Sequence, residues 1–158
     1  MGWRVSRFRA LDPAFPGEIQ DTALTLDGKG RVTVPARHRD VLQATAGGQL
    51  TLTKHPQGCL MVFPRPAWEG FRDRVAALPM AVSGWKRVFL GNAMDVEIDA
   101  SSRVLVSPEL RLSAGLTRDV MLLGMGSYLE LWDAAAYAAH EAQVMQSPMP
   151  PALEDFSF

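Results

Sequence analysis

"LTLDGKGRVTVP" (Leu24–Pro35) reads first as a hairpin. Apolar and polar residues alternate at period two on either side of a Gly-Lys-Gly centre, which is the pattern of two short strands joined by a turn. An Asp and an Arg four residues apart, Asp27 and Arg31, bracket that turn, and Gly28 and Gly30 permit positive φ within it. A lone turn of this kind would be unremarked, since an exposed ion pair contributes only ~0–1 kcal/mol. Here the pattern occurs twice. "LTLDGKGRVTVPARHR" (24–39) lies over "VEIDASSRVLVSPELR" (96–111), matching Asp27 to Asp99, Arg31 to Arg103 and Arg39 to Arg111. The flanking apolar positions Leu24, Leu26, Val32 and Val34 correspond to Val96, Ile98, Val104 and Val106.

This internal duplication organises the chain. Leu50–Thr53 corresponds to Val120–Leu123, Cys59–Phe63 to Tyr128–Trp132, and Trp68 to Tyr137. Each copy reads as strand, turn, strand, short helix, strand, strand, closing helix. Pro35 and the Ser107-Pro108 pair mark the starts of the short helices. In the first closing helix Trp68, Phe71, Val75 and Leu78 have helical spacing and Pro79 ends it, while Asp133 caps the second, which runs to about Val144. A connecting helix over 84–92 would turn Trp85, Val88 and Phe89 inward. The expected divisions are a flexible extension (1–16), a first motif (17–80), the connecting helix (81–94), a second motif (95–146) and a mobile tail (147–158) whose prolines oppose regular structure. One motif of about 45 residues cannot bury enough surface to be comfortably stable, whereas two packed together can. The expectation is an α+β, mainly β fold: a small β-barrel or sandwich built from both motifs.

Composition narrows the function. The 158 residues are 47% hydrophobic and 21% charged, which fits a soluble globular protein. No apolar run approaches the ~18 residues needed to span a bilayer, so no membrane partner is expected. Cys59 is the single cysteine and sits in an apolar run, so a buried thiol in a reducing cytoplasm is the natural reading. Net charge is −1, but no Lys or Arg follows Arg118, and the segment 119–158 carries −6 against +5 for the rest. A polyanion would meet the positive part first.

Arg31 and Arg103, brought together around a pseudo-twofold axis, would form a cluster with Lys29, Arg37, Arg39 and Arg111. Clustered guanidinium groups suit phosphate oxygens and the O6/N7 edge of guanine. Enzyme readings are weak. His38, His55 and His140 have no metal-ligand spacing with one another or with Cys59. Gly124–Ser127 joins two strands without a following Lys, no nucleophile elbow occurs, and the Arg beside each of Asp27 and Asp99 would hold both ionised, against an acid/base dyad. No cofactor, metal or catalytic residue is expected.

The Leu-Asp-x-Lys-Gly-Arg-Val-x-Val-Pro stretch and its second copy resemble the MraZ family. So do Cys59-Leu-x-x-Phe-Pro64, Gly91-Asn-Ala-Met-Asp-x-Glu-Ile-Asp99, Ser113-Ala-Gly-Leu116, Val120-Met-Leu-Leu-Gly124 and Glu130-Leu-Trp-Asp133. The resemblance covers about residues 15–145. It implies a double AbrB-like regulator that assembles into rings and represses its own division and cell-wall gene cluster. It would bind G-rich direct repeats in double-stranded DNA through Asp27/Arg31 and Asp99/Arg103, in the cytoplasm at the nucleoid. Phe63, Trp132 or the closing helices are candidate ring contacts, the plainer reading being that they are simply core. Three positions depart from the pattern. Ser102 stands where the family has Gly, so a different second turn and a less secure aim for Arg103 are expected. The Pro after the second strand is displaced by one, to Pro108, and the family's short start appears as Phe15-Pro-Gly17 behind fourteen further residues. The other function class is an oligomeric protein-interaction scaffold that uses the acidic half and no DNA.

Overall fold

The computed structural model describes residues 23–157, so expectations for the segment 1–16 lie outside the described residues. The first copy forms strands β1 (Ala23–Thr25), β2 (Arg31–Thr33), β3 (Gln49–Lys54) and β4 (Leu60–Pro64), with helices α1 (Ala36–Ala46) and α2 (Arg65–Ala76). Helix α3 (Ser83–Gly91) connects it to β5 (Met94–Glu97), β6 (Arg103–Leu105), β7 (Asp119–Gly124) and β8 (Leu129–Asp133), with helices α4 (Pro108–Ser113) and α5 (Ala134–Gln146).

The two copies interleave. One sheet runs in the order β1-β7-β8-β4-β3-β5 and a separate two-stranded ribbon pairs β2 with β6. The outer strand of each copy therefore pairs with the third strand of the other. Leu24 lies opposite Val120, and its counterpart Val96 lies opposite Leu50. The pseudo-twofold axis passes between β4 and β8, where Met61 faces its own counterpart Glu130. All these pairings are antiparallel. The expected barrel does not close: β1 and β5 end the six-stranded sheet at opposite edges without pairing. The ribbon lies over one sheet face instead, linked to β1 by a bridge between Leu26 and Val32.

Period-two alternation sorts the side chains into two layers. Leu50, Leu52, Leu60, Val62, Val120, Leu122, Leu129 and Leu131 point to one face and form the main core with Val32, Val34, Val104 and Val106. The short helices α1 and α4 add Leu42 and Leu110 to it. On the opposite face, Met61 and Phe63 pack with Trp68 and Phe71 of α2 and Phe89 of α3. Cys59, Leu123 and Trp132 pack with Tyr137 of α5. The closing helices thus cover the far face and leave the ribbon on the outside of the near one.

Local details follow from the residues. Ser107 caps α4 by accepting from the Leu110 N–H at 3.3 Å, and Asp133 caps α5 by accepting from the Ala136 N–H at 3.1 Å. Pro35 occupies the N-cap position of α1 rather than its first helical residue. Three expectations need correction. Trp85 is 49% exposed and stacks its ring on Phe89 from outside, and Leu78 is 41% exposed beyond the end of α2. The prolines of the tail do accommodate one short 3-10 turn, Pro151–Leu153.

Candidate nucleic-acid interface

Each strand–turn–strand unit closes in the same way. The Asp27 N–H donates to the Arg31 carbonyl at 2.9 Å, and the Asp99 N–H to the Arg103 carbonyl at 2.9 Å. The carboxylates then organise the loops from inside. Asp27 Oδ1 accepts the backbone N–H groups of Lys29 and Arg31, both at 2.9 Å, while its Oδ2 accepts Arg31 Nε at 2.8 Å. Asp99 repeats this with the Ser101 and Arg103 N–H groups, both at 2.8 Å, and Arg103 Nε at 3.2 Å. The Arg31 N–H bond, Arg31's side chain and the Lys29 N–H outweigh partial desolvation and hold the Asp27 carboxyl down at about 2. Hydrogen bonds from the Arg103 and Ser101 N–H groups, with the charge of Arg103, likewise hold Asp99 below the ordinary carboxylate range.

The corner of each turn is a left-handed residue, Gly30 (φ 84°) and Ser102 (φ 64°). Gly28 does not need the positive φ that its identity allows. Ser102 was expected to force a different second turn, and it does not. It adopts the same conformation as Gly30 and makes the same bond, its N–H donating to the Asp99 carbonyl at 2.9 Å as that of Gly30 does to Asp27 at 3.0 Å. A non-glycine residue in this region is sterically costly and persists where its surroundings over-determine it.

Those surroundings come from the other copy. The Gly30 carbonyl accepts the Val106 N–H at 2.9 Å, and the Ser102 carbonyl accepts the Val34 N–H at 2.8 Å. Arg39, on α1, donates from Nη1 to Ser102 Oγ at 2.6 Å. Arg111, on α4, lays its guanidinium over Gly30 so closely that a Cβ there would come within 2.6 Å of its central carbon.

The β2–β6 register aims the paired arginines. Arg31 stands opposite Leu105, Thr33 opposite Arg103, and Val32 opposite Val104. Directly opposed residues share a face, so Arg31, Thr33, Arg103 and Leu105 point outward while the two valines are buried. Arg31 and Arg103 therefore occupy the same side of the ribbon. Each spends Nε on its turn Asp, and among the described residues no further hydrogen bond is made by the Nη groups. Lys29 is exposed at the first turn, whereas Arg37 is half-buried and its Nε and Nη2 are shielded from solvent.

Sequence spacing did not reveal a second cluster, on the helix-covered face. His55 and Cys59 of the β3–β4 hairpin meet Glu130 of β8, with ligand atoms all within 4.8 Å. Glu130 accepts from Trp132 Nε1 at 2.9 Å, Tyr128 Oη at 3.3 Å and His55 Nε2 at 3.2 Å. Burial works to raise its pKa, but these donors outweigh burial and keep it below the ordinary carboxylate range. Burial and the Glu130 charge push both the Cys59 thiol and the Tyr128 phenol up to about 12. His55 Nδ1 accepts the Gln57 N–H at 3.0 Å, which places the ring proton on Nε2, toward Glu130. With that nitrogen protonated, His55 and Glu130 form a hydrogen-bond network with Trp132 and Tyr128, and the Cys59 thiol lies beside it. Only the tertiary pairing of β4 with β8 brings these residues together.

Two copies of a strand–turn–strand–helix–strand–strand motif, interleaved about a pseudo-twofold axis with a basic ribbon outside, define a double AbrB-like fold. The family model described as "MraZ protein, putative antitoxin-like" matches residues 19–83 and 89–154, one match for each copy. A protein of Methylibium petroleiphilum named "Transcriptional regulator MraZ" is 75% identical over 137 residues, which is 87% of this chain and 94% of that protein. Relatives of the same name from Leptothrix cholodnii and Variovorax paradoxus are 71% and 66% identical, over 87% of this chain and 94% and 96% of their own lengths. The chain belongs to the MraZ family. Members of this family are named as transcriptional regulators and not as enzymes.

Proposed function

We propose that this chain is a transcriptional regulator that binds specific double-stranded DNA through the outer face of the β2–β6 ribbon. The single observation that carries this reading is the common orientation of Arg31 and Arg103, each held by its own turn Asp. A two-stranded ribbon fits the major groove, and an arginine fixed at Nε presents its remaining N–H groups to guanine O6/N7 or to phosphate. Asp27 and Asp99 act by shaping the turns rather than by touching a polyanion. Lys29, exposed at the first turn, adds positive charge there.

Two arginine-bearing turns make a small footprint, because specific DNA interfaces bury ~1,000 Å² or more of protein surface. We propose that a ring-shaped homo-oligomer multiplies it on G-rich direct repeats upstream of its own division and cell-wall operon, as a repressor at the nucleoid. Avidity of that kind adds ~10²–10⁴ in affinity. Phe63 and Trp132 are not available as ring contacts, being 3% and 5% exposed and packed inside the chain. Leu112 on α4 and Met80 before α3, each 84% exposed, are better placed.

Footprinting on the DNA upstream of its own gene tests this directly. Protection of regularly spaced repeats, with log affinity falling steeply against log salt, is the expected result. Binding that is absent at low salt would leave the protein-interaction scaffold as the better reading. Sedimentation with and without Leu112→Asp tests the ring.

A further inference from the structure

Arg39 and Arg111 were read from the sequence as two more cations for DNA. The structure gives them a different place. Each leaves the short helix of its own copy and ends on the turn corner of the other: Arg39 on Ser102 at 2.6 Å, and Arg111 over Gly30. The same two corners are held by backbone bonds across the axis, from Val34 to Ser102 and from Val106 to Gly30. Both side chains are half-buried, and Arg111 Nε is shielded from solvent.

We infer that Arg39 and Arg111 are positioning residues, each setting the turn that aims the opposite copy's DNA-facing arginine. Arg39 holds Ser102 in the left-handed conformation and so aims Arg103. Arg111 fills the space left open by the missing side chain of Gly30 and so aims Arg31. The chemistry at the two corners differs because the corner residues differ. Ser102 supplies a hydroxyl that a guanidinium N–H can bond, whereas glycine supplies only a flat surface on which the guanidinium rests. The crossing makes the two turns one unit, in which the helix of either copy controls the grip of the other. This inference rests on the DNA-binding reading for its consequence, but its geometry can be tested without DNA.

The test uses the full chain, with a duplex fragment from immediately upstream of its own gene as the probe. Amide hydrogen exchange comes first and needs no DNA. Arg39→Ala should speed exchange of the Arg103 and Ser101 N–H groups while leaving those of Arg31 and Lys29 unchanged, and Arg111→Ala should do the reverse. In binding, Arg39→Ala should weaken affinity roughly fivefold to tenfold, the scale of one hydrogen bond, and Arg111→Ala, which loses a packing contact, should weaken it too, each with the slope of log affinity against log salt unchanged. Adding Ser102→Gly to Arg39→Ala should restore affinity, because glycine holds the corner conformation unaided. Three results would overturn the inference: exchange faster only in the variant's own copy, a salt slope shallower by about 0.9 per arginine as for a lost phosphate contact, or no recovery with Ser102→Gly. Should the unaltered chain fail to bind the fragment, the DNA reading falls while the exchange pattern still decides the crossed brace.

Discussion

Arg31 and Arg103 lie on one face of an antiparallel ribbon, each opposite the residue two positions beyond the other. Because Val32 and Val104 pair directly between them and are buried, neither arginine can rotate to the inner face without unpairing the ribbon. Removing either one should therefore subtract a defined contact. Arg31→Ala is expected to cost ~1–3 kcal/mol of DNA affinity and to relax preference at one base position, as read by binding to a panel of single-base variants. Arg31→Lys should recover the salt dependence without the base preference, since an ammonium cannot reproduce the planar fork.

The turn carboxylates set a pH window. The folded pKa of Asp27, about 2, lies below its ordinary value, so the unfolded chain takes up the proton first as pH falls. The stabilisation Asp27 confers is thus fully present above pH ~4–5 and is lost as pH falls through about 2. Asp99, shifted in the same direction, follows the same sign. Titration of the Asp27 carboxyl by NMR should show a midpoint near 2, and Asp27→Asn should abolish the coupled movement of the Arg31 amide signal.

Gly30→Ala meets two obstacles at once. The backbone there has φ 84°, and the new Cβ would fall 2.6 Å from the central carbon of Arg111's guanidinium. Strain in the left-handed region together with displacement of that side chain should destabilise the fold by ~1–3 kcal/mol, measured by urea unfolding. Gly28→Ala, with open space and no positive φ, should be nearly neutral.

Glu130 is the buried charge on the axis, facing Met61 across β4 and β8. Glu130→Gln keeps its shape but turns one acceptor into a donor beside His55, Trp132 and Tyr128, and should cost ~1–3 kcal/mol. Thermal or urea unfolding checks this. Leu60→Ala, at a residue with no exposed surface in the adjacent strand, should cost ~2–5 kcal/mol through the cavity it leaves.

The amino-acid order by itself determined the repeat, the strand and helix sequence and the turn chemistry, because each of these is local. Alternation of valines and leucines marks a strand whichever partner it later finds, and an Asp four residues before an Arg closes its loop with bonds inside five residues. Even Tyr137 could be matched to Trp68 by position alone, and the rings of both pack on their strand-end aromatics, at 5.5 Å and 5.7 Å. What only the tertiary structure decided is non-local. The interleaving of β1 with β7 and of β5 with β3 builds an open sheet with the ribbon over one face, where a barrel or sandwich was expected. It carries Arg39 and Arg111 across the axis and brings Glu130 of β8 to His55 and Cys59 of the β3–β4 hairpin, far away in the chain. Ser102 shows the difference at one residue: by local preference it should refuse the left-handed corner, and it takes it because Val34 and Arg39, contributed by the other copy, hold it there.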